Sequence, residues 1–475
     1  MTLRRTLHAL ARAVFNKNIL IFVLLISAVY LSGTLWFERI SSSRNFFYAI
    51  AEAVAQTPAL PTDFEQPFVE PMRIVTGFGN RSYSVDYITE GAIAAHSSFI
   101  ALRAAVSNAE YSHTSELDWP ELLSSAAYLI EYPLRLPRGL VSGAWGVRES
   151  DSAIMRHVLA FDTIVIAPGI TSADGITITF VDSAQALTHH FVLDDDALRS
   201  DLRNEIIAAQ DQVADIHFSA SSEVAAHMFY GNAFIPIFSG DTLMYTPLRV
   251  TNPYANASGD VLISSIIPRI SALFETPAAI TSKVNPGEFI FSDEHTVVRF
   301  SAGNILEYSN YRTHRQPRAL TLGEAYGVAR AFIGRDAQIP GRAYLTGFTE
   351  YEGTFTFYFG LAVYNFPLIM PAGFAQMHNL TAPIEVSVRG GIVANYRKWG
   401  TGFEPSLAGQ VADIGFFSAY DQLIDSGVMR SIIAGSIPYI HGADLAFYAD
   451  LDNLDEIGLV WYIRIDGAPY IAPTR

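Results

Sequence analysis

One unbroken apolar stretch near the start, Ile19 to Phe37, constrains this chain more than any other feature. As a helix rising about 1.5 Å per residue, it spans roughly 28 Å, the thickness of a bilayer's hydrocarbon. No charge interrupts it. Arg4, Arg5, Arg12 and Lys17 precede it with no acid among them, so the positive-inside rule predicts a cytoplasmic N-terminus. Trp36 and Phe37 close the outer end, where amphipathic rings anchor at headgroups. A cleaved signal peptide has a shorter apolar core, roughly 7–15 residues, and ends in small residues. Here the small-x-small site, Ala53-Val-Ala55, lies well past the run. The expectation is a single-pass membrane protein, with residues 1–18 as a cytoplasmic tip and 19–37 as an uncleaved anchor. The bulk of the chain is expected outside the cell membrane.

The remainder is rich enough in apolar and aromatic residues to pack into domains rather than hang as a tether. The formal charge of the whole is −16; beyond residue 37 there are 27 basic against 47 acidic residues, a balance of −20. An acidic exterior argues against nucleic acid as a partner. Cysteine is absent, which excludes disulfides, thiolate metal sites and a cysteine nucleophile.

Local patterns outline α+β units with antiparallel sheets. A helical then proline-rich spacer covers 38–71, with Pro58, Pro61, Pro67 and Pro71 breaking regularity. A first extracytoplasmic domain is expected over 72–214, a middle unit over 215–311 and a C-terminal unit over 318–475. Arg73–Val75 and Tyr83–Ile88 read as strands around a Gly77/Gly79 turn, Ser97–Ala109 as a helix, and Tyr128–Leu134 as a short strand closed by Pro133 and Pro137. Asp196–Gln212 reads as a helix with acids at its start, where the dipole favours them, and Ser222–Tyr230 as a short helix. Thr321-Leu-Gly-Glu324 is a capping box, and the helix behind it shows one apolar face through Leu322, Ala325, Tyr326, Ala329, Phe332 and Ile333. Gly390-Gly391 and Asp466-Gly467 mark hairpin turns.

Catalytic signatures are missing: no G-x-S-x-G, P-loop, H-E-x-x-H or complete G-x-G-x-x-G occurs. His189-His190 before Asp194-Asp-Asp196 is the best metal-like cluster, but adjacent histidines on a strand point to opposite faces, and the aspartates fit a helix start. Asp450, Asp452, Asp455 and Glu456 lack the glycine and spacing of a calcium loop. Glu350 and Glu352 have nothing nearby to split their pKa values as an acid/base pair needs. No catalytic, cofactor or metal residues are assigned, and the chain is read as a non-enzyme. The anchor offers one contact face instead: Ala28 and Ser32 are small residues on a stripe with Leu24 and Trp36, the pattern that lets spanning helices approach closely.

Motifs in order along the chain carry a resemblance. The lone anchor ends in Leu35-Trp-Phe37, followed by a proline spacer and Pro71-Met-Arg-Ile-Val. Next come Tyr128-Leu-Ile-Glu-Tyr-Pro-Leu-Arg-Leu-Pro137, Phe234-Ile-Pro236, Pro247-Leu-Arg-Val250, and Phe291-Ser-Asp through Gly303-Asn-Ile-Leu-Glu-Tyr308. Phe357-Tyr-Phe, Asn365-Phe-Pro-Leu, Ile384-Glu-Val-Ser-Val and Val460-Trp-Tyr-Ile close the series. The chain resembles the YycH (WalH) family, accessory regulators of the WalK/WalR two-component system, and its C-terminal part is similar to YycI, with a PepSY-like module. The resemblance implies a regulator that modulates a WalK-like sensor histidine kinase by transmembrane and ectodomain contacts, together with a YycI-like protein, in cell-wall homeostasis. It brings no catalytic residues. A second reading is an anchored binding module for a cell-wall polymer or small ligand, which requires a concave, aromatic-lined site between units.

Overall fold

The computed structural model describes residues 69–474, apart from 87–94, 172–173, 211–215, 239–241, 252–265, 286–287, 302–304, 313–318, 337–338, 365, 400–401, 407–408, 427–438 and 451–452. The expected cytoplasmic tip, anchor and most of the spacer lie outside these residues. Among the described residues no helix is long and apolar enough to cross a membrane.

The first sheet contains nine antiparallel strands: β1 (Arg73–Phe78), β2 (Tyr83–Asp86), β3 (Glu110–Glu116), β4 (Ala126–Pro137), β5 (Ala160–Pro168), β6 (Ile176–Asp182), β7 (Leu187–Leu193), β8 (Ile216–Ala220) and β9 (Phe234–Phe238). Their order is β3-β7-β6-β5-β4-β1-β2-β8-β9. Side chains alternate across it, as a period of two demands. Ile74, Ile130, Ile164, Ile178, Phe180 and Phe191 face one core; Val75, Leu129, Val165 and Val181 face the other. The first face is covered by helices α1 (Ser97–Asn108) and α5 (Asp196–Gln210), through Phe99, Leu102, Leu202 and Ile206. The second is closed by the short helix α2 (Trp119–Leu122), with Trp119 buried, and by Phe218 and Phe234. Between them in the chain lie α3 (Arg138–Trp145) and α4 (Ala153–His157), and α6 (Ser221–Val224) follows β8.

Strand β4 is longer than its prolines suggest. It runs through Pro133 because pairing to β5 shifts between Glu131 and Leu136, while pairing to β1 stops at Glu131. The missing N–H of Pro133 therefore falls at an irregularity, where proline is tolerated. The helix expected over Ser222–Tyr230 shrinks to one turn, Ser221–Val224.

The second sheet has fourteen strands: β11 (Leu248–Thr251), β12 (Thr281–Asn285), β13 (Glu288–Ser292), β14 (Thr296–Ser301), β15 (Ile305–Asn310), β16 (Arg342–Tyr351), β17 (Thr354–Val363), β18 (Phe366–Ile369), β19 (Ile384–Arg389), β20 (Ile392–Trp399), β21 (Gly402–Pro405), β23 (Ile440–Asp450), β24 (Asn453–Ile465) and β25 (Ala468–Pro473). A two-stranded ribbon, β10 (Leu243–Tyr245) with β22 (Gln410–Ala412), stands beside it. Pairing is antiparallel except for β18 on β23. Helix α7 (Leu322–Ile333) begins with the capping box, Thr321 and Glu324 each bonding the other's backbone N–H. Its Tyr326 and Phe332 rings pack on Phe357 and on Tyr308 and Tyr396. The chain continues through α8 (Ala372–His378) and α9 (Phe416–Asp425), whose Phe416 packs on Trp461.

The segment expected as a separate middle unit forms no sheet of its own. Its β8 and β9 extend the first sheet through β2, while β11–β15 join the second through β20 and β24. Residues 65–475 cluster as one compact unit. Short strands leave unpaired N–H and C=O groups on both edges, and they complete their ladders on whichever longer sheet lies beside them.

The two sheets are joined by buried charge and by close backbone packing. Arg73 of β1 donates through Nε to Glu131 at 2.5 Å and pairs through its guanidinium with Asp444 of β23. Arg330 of α7 pairs with Glu70, and Arg342 of β16 donates to the carbonyls of Pro71 and Met72. Helices α3 and α7 cross at Gly143 and Gly323, where a Cβ on Gly143 would lie 2.5 Å from the Cα of Gly323.

Candidate functional site

Two surface features could support contact or binding: the free edge at β3, and a cleft between the sheets.

At the edge, β3 pairs with β7 from Glu110 opposite Val192 to Glu116 opposite Leu187, with one bulge between Tyr111 and His113. Six of its seven residues are exposed and none is buried. The strand is held by polar and ring contacts instead. On one face the rings of His113 and His190 stack at 4.4 Å. His190 Nε2 lies 3.0 Å from Ser115 Oγ and 2.9 Å from Thr188 Oγ1, and its Nδ1 lies 3.0 Å from Thr179 Oγ1. On the other face Tyr111 stacks on His157 of α4 at 3.8 Å, and Thr114 meets His189 Nδ1 at 2.9 Å. His189 and His190 thus point to opposite faces, as neighbours on a strand must. Burial lowers the pKa of both; for His190 the charges of His113 and His189 add to the effect, while for His189 Asp182 opposes it.

The aspartates after the histidines serve the helix. Asp195 accepts from the N–H of Leu198 at 3.0 Å, and Asp196 pairs with Arg199. Among the described residues no group of three His, Asp or Glu is placed to hold a metal ion. Asp455 and Glu456 belong to strand β24, and Asp452 lies outside the described residues. Glu350 is an exposed residue near the end of β16, and Glu352 sits in the β16–β17 turn at φ +48° beside Gly353 at φ +71°, a pairing that a tight hairpin requires. The anchor face Leu24, Ala28, Ser32 and Trp36 lies outside the described residues.

The cleft has a volume of about 530 Å³ and lies where β2 and β8 of the first sheet approach β10, β18 and β23. Phe218, Tyr245, Phe366 and Phe447 line it, with Met244 and Tyr364 at its open side, 68% and 59% exposed. Tyr364 holds φ +45° in the turn from β17 to β18, a backbone region that costs a β-unbranched side chain of order 1 kcal/mol. Asp86 contributes the cleft's carboxylate. Its pKa is raised by desolvation, with His96 pulling the other way. The size suits a small organic group or a few peptide side chains.

The fold defines an α+β protein built on two largely antiparallel sheets. The crystal structure of YycH from Bacillus subtilis is similar over 86% of this chain and 96% of that chain, with a TM-score of 0.48 and 11% identity. An uncharacterized protein from Eubacterium rectale is similar over 57% of this chain and 94% of that one, with a TM-score of 0.34 and 8% identity. No family model matches the chain, and no curated protein matches it.

Sequence reading did not find β3, and it placed the cleft only as a requirement of the binding-module reading. The β3 segment, Glu-Tyr-Ser-His-Thr-Ser-Glu, carries β-formers in Tyr111 and Thr114 but no apolar alternation, because the strand buries neither face. The aromatics of the cleft come from segments far apart in the chain.

Proposed function

We propose that this chain is a membrane-anchored extracytoplasmic regulator that modulates a WalK-like sensor histidine kinase, acting with a YycI-like protein. The observation that carries the reading is the apolar run Ile19–Phe37, with basic residues before it, at the head of a long acidic remainder. The order of the YycH-like motifs along the chain supports the same reading. The physical logic is linkage: a regulator shifts a kinase only by binding one signalling state more tightly than the other. About 1.4 kcal/mol of preference changes the ratio of states tenfold. The anchor face Leu24, Ala28, Ser32 and Trp36 is the intramembrane contact in this reading. Ala28→Leu with Ser32→Leu is expected to weaken co-isolation with the kinase from intact membranes while insertion is unchanged. Undiminished co-isolation rejects this face as the contact.

The cleft favours a second reading, an anchored module that binds a small or polymeric ligand. Its test is binding of a neutral apolar dye, N-phenyl-1-naphthylamine, to the full chain. Met244→Trp, which fills the open side, should abolish the fluorescence gain with the circular dichroism spectrum intact. An unchanged gain counts against the cleft.

A further inference from the structure

We propose that the free edge of β3 is a docking strand, and that it accepts an extended segment of a partner protein bearing a basic residue at each end. This mode of docking goes beyond the proposed function and does not depend on the partner being a kinase.

The edge is available. β3 is the outermost strand of its sheet, so alternate residues direct their N–H and C=O groups away from β7. Natural sheets blunt such edges with lysine, proline, bulges or a covering element. β3 has no lysine and no proline, and among the described residues its side chains stay largely exposed, with His157 of α4 stacked on Tyr111. The bulge at Tyr111/His113 and the charges of Glu110 and Glu116 at its ends blunt the strand, and His113–Glu116 stays in regular register.

The edge is also preorganised. A strand that buries no side chain gains little from apolar transfer, yet β3 is fastened on both faces. Ser115 bonds Thr188 at 2.7 Å, Thr114 meets His189, and the His113–His190 and Tyr111–His157 stacks brace the two faces. Fixing a docking strand before the partner arrives removes ordering cost from the binding step. The added strand would gain main-chain hydrogen bonds, with charge choosing its sequence.

Charge selects the occupant. Glu110 and Glu116 sit at the two ends of β3, both exposed, and among the described residues neither has an ion pair. Six residues of strand place them roughly 20 Å apart. A second copy pairing antiparallel would set Glu110 beside the partner copy's acid at 116, where like charges repel. A segment with lysine or arginine at both ends meets two unpaired carboxylates instead.

The test uses the full chain and three fluorescein-labelled heptapeptides: Lys-Thr-Val-Thr-Val-Thr-Lys, the same peptide with glutamate at both ends, and the basic peptide N-methylated at alternate residues. The basic peptide should bind at least tenfold more tightly than the acidic one and slow amide exchange across Glu110–Glu116. N-methylation, which leaves charge unchanged, should cost at least tenfold. Glu110→Lys with Glu116→Lys, both at exposed positions, should reverse the charge preference. Equal binding of the N-methylated peptide would mean plain electrostatic attraction and overturn the proposal. Binding without protection of Glu110–Glu116 would overturn it as well. So would a dimer in sedimentation that protects the same residues, because the occupant would then be a second copy.

Discussion

Arg73 and Asp444 stand 371 positions apart in the chain and share a buried ion pair that joins the first sheet to the second. Both side chains are at most 9% exposed, and Glu131 completes the arrangement on the other side of the guanidinium. Removing the cation strands two carboxylates in a low-dielectric interior, which costs far more than the intact pair contributes. Arg73→Met should lower unfolding free energy by about 3–5 kcal/mol, read from the denaturant midpoint at constant m. Replacing Glu131 and Asp444 by leucine in the same chain should recover much of that loss. A loss in Arg73→Met of under about 1 kcal/mol would contradict the burial argument.

The crossing of α3 and α7 depends on two missing side chains. A methyl on Gly143 would meet the Gly323 backbone at 2.5 Å, and both sides of that contact are main chain, which cannot rotate away. Gly323→Ala should therefore destabilise by about 1–3 kcal/mol, as overpacking does. By contrast Gly327→Ala, one turn along the same helix with open space at its Cβ, should be neutral or stabilising by up to about 1 kcal/mol through helix propensity. Thermal melts of the two variants distinguish close approach from propensity, and similar melting points would refute the packing claim.

Lys398 is a buried lysine paired with Asp336 at 2.6 Å, with Tyr396 donating to the same carboxylate at 2.7 Å. Burial pushes its pKa down and Asp336 pushes it back up. In Asp336→Ala that opposition is gone, so the folded lysine's pKa, already lowered in the intact protein, falls further below the unfolded value. Stability of that variant should rise with pH toward the ordinary lysine value of 10.5. Chemical denaturation of the variant at pH 7 and pH 9.5 measures this; a flat profile would show that another group has replaced the carboxylate.

Acid should weaken the protein through its histidines before it reaches the carboxylates. His96, His189 and His190 all have lowered pKa values, chiefly from burial. Below the free value of 6.5 the unfolded chain takes up protons that the folded chain refuses, so stability falls as pH drops through that value. Asp86 and Asp162 have raised pKa values, again chiefly from burial; they act in the opposite sense at lower pH. Stability should therefore decline from pH 7 toward pH 5.5, and His189→Gln with His190→Gln should make the decline shallower. A wild-type slope retained in that double variant would place the proton uptake elsewhere.

Much of the fold was legible because its signals are local. The capping box at Thr321, the helical face from Leu322 to Ile333, and the Gly390-Gly391 and Asp466-Gly467 turns all appear where residue chemistry puts them. Asp466 and Gly467 adopt φ +48° and +80°, the geometry that this turn dipeptide favours. His189 and His190 point to opposite faces as neighbours on a strand must, because alternation needs no tertiary information. The candidate site was far less legible. β3 escaped because it lacks the apolar alternation by which strands are recognised, and the cleft gathers Asp86, Phe218, Tyr364 and Phe447 from four separate stretches.

The residues alone determined an apolar run of bilayer length, an acidic remainder, the absence of disulfide chemistry, the helices α1, α5 and α7, and several hairpin turns. Each of these follows from composition or from neighbours a few positions apart. Tertiary structure decided which sheet β8, β9 and β11–β15 would join, that Arg73 would meet Asp444, and that β3 would stand at an open edge. Those outcomes turn on pairing and burial between distant segments. The strength of a buried charge or an unpaired edge depends on what lies opposite it in space, which linear order does not specify.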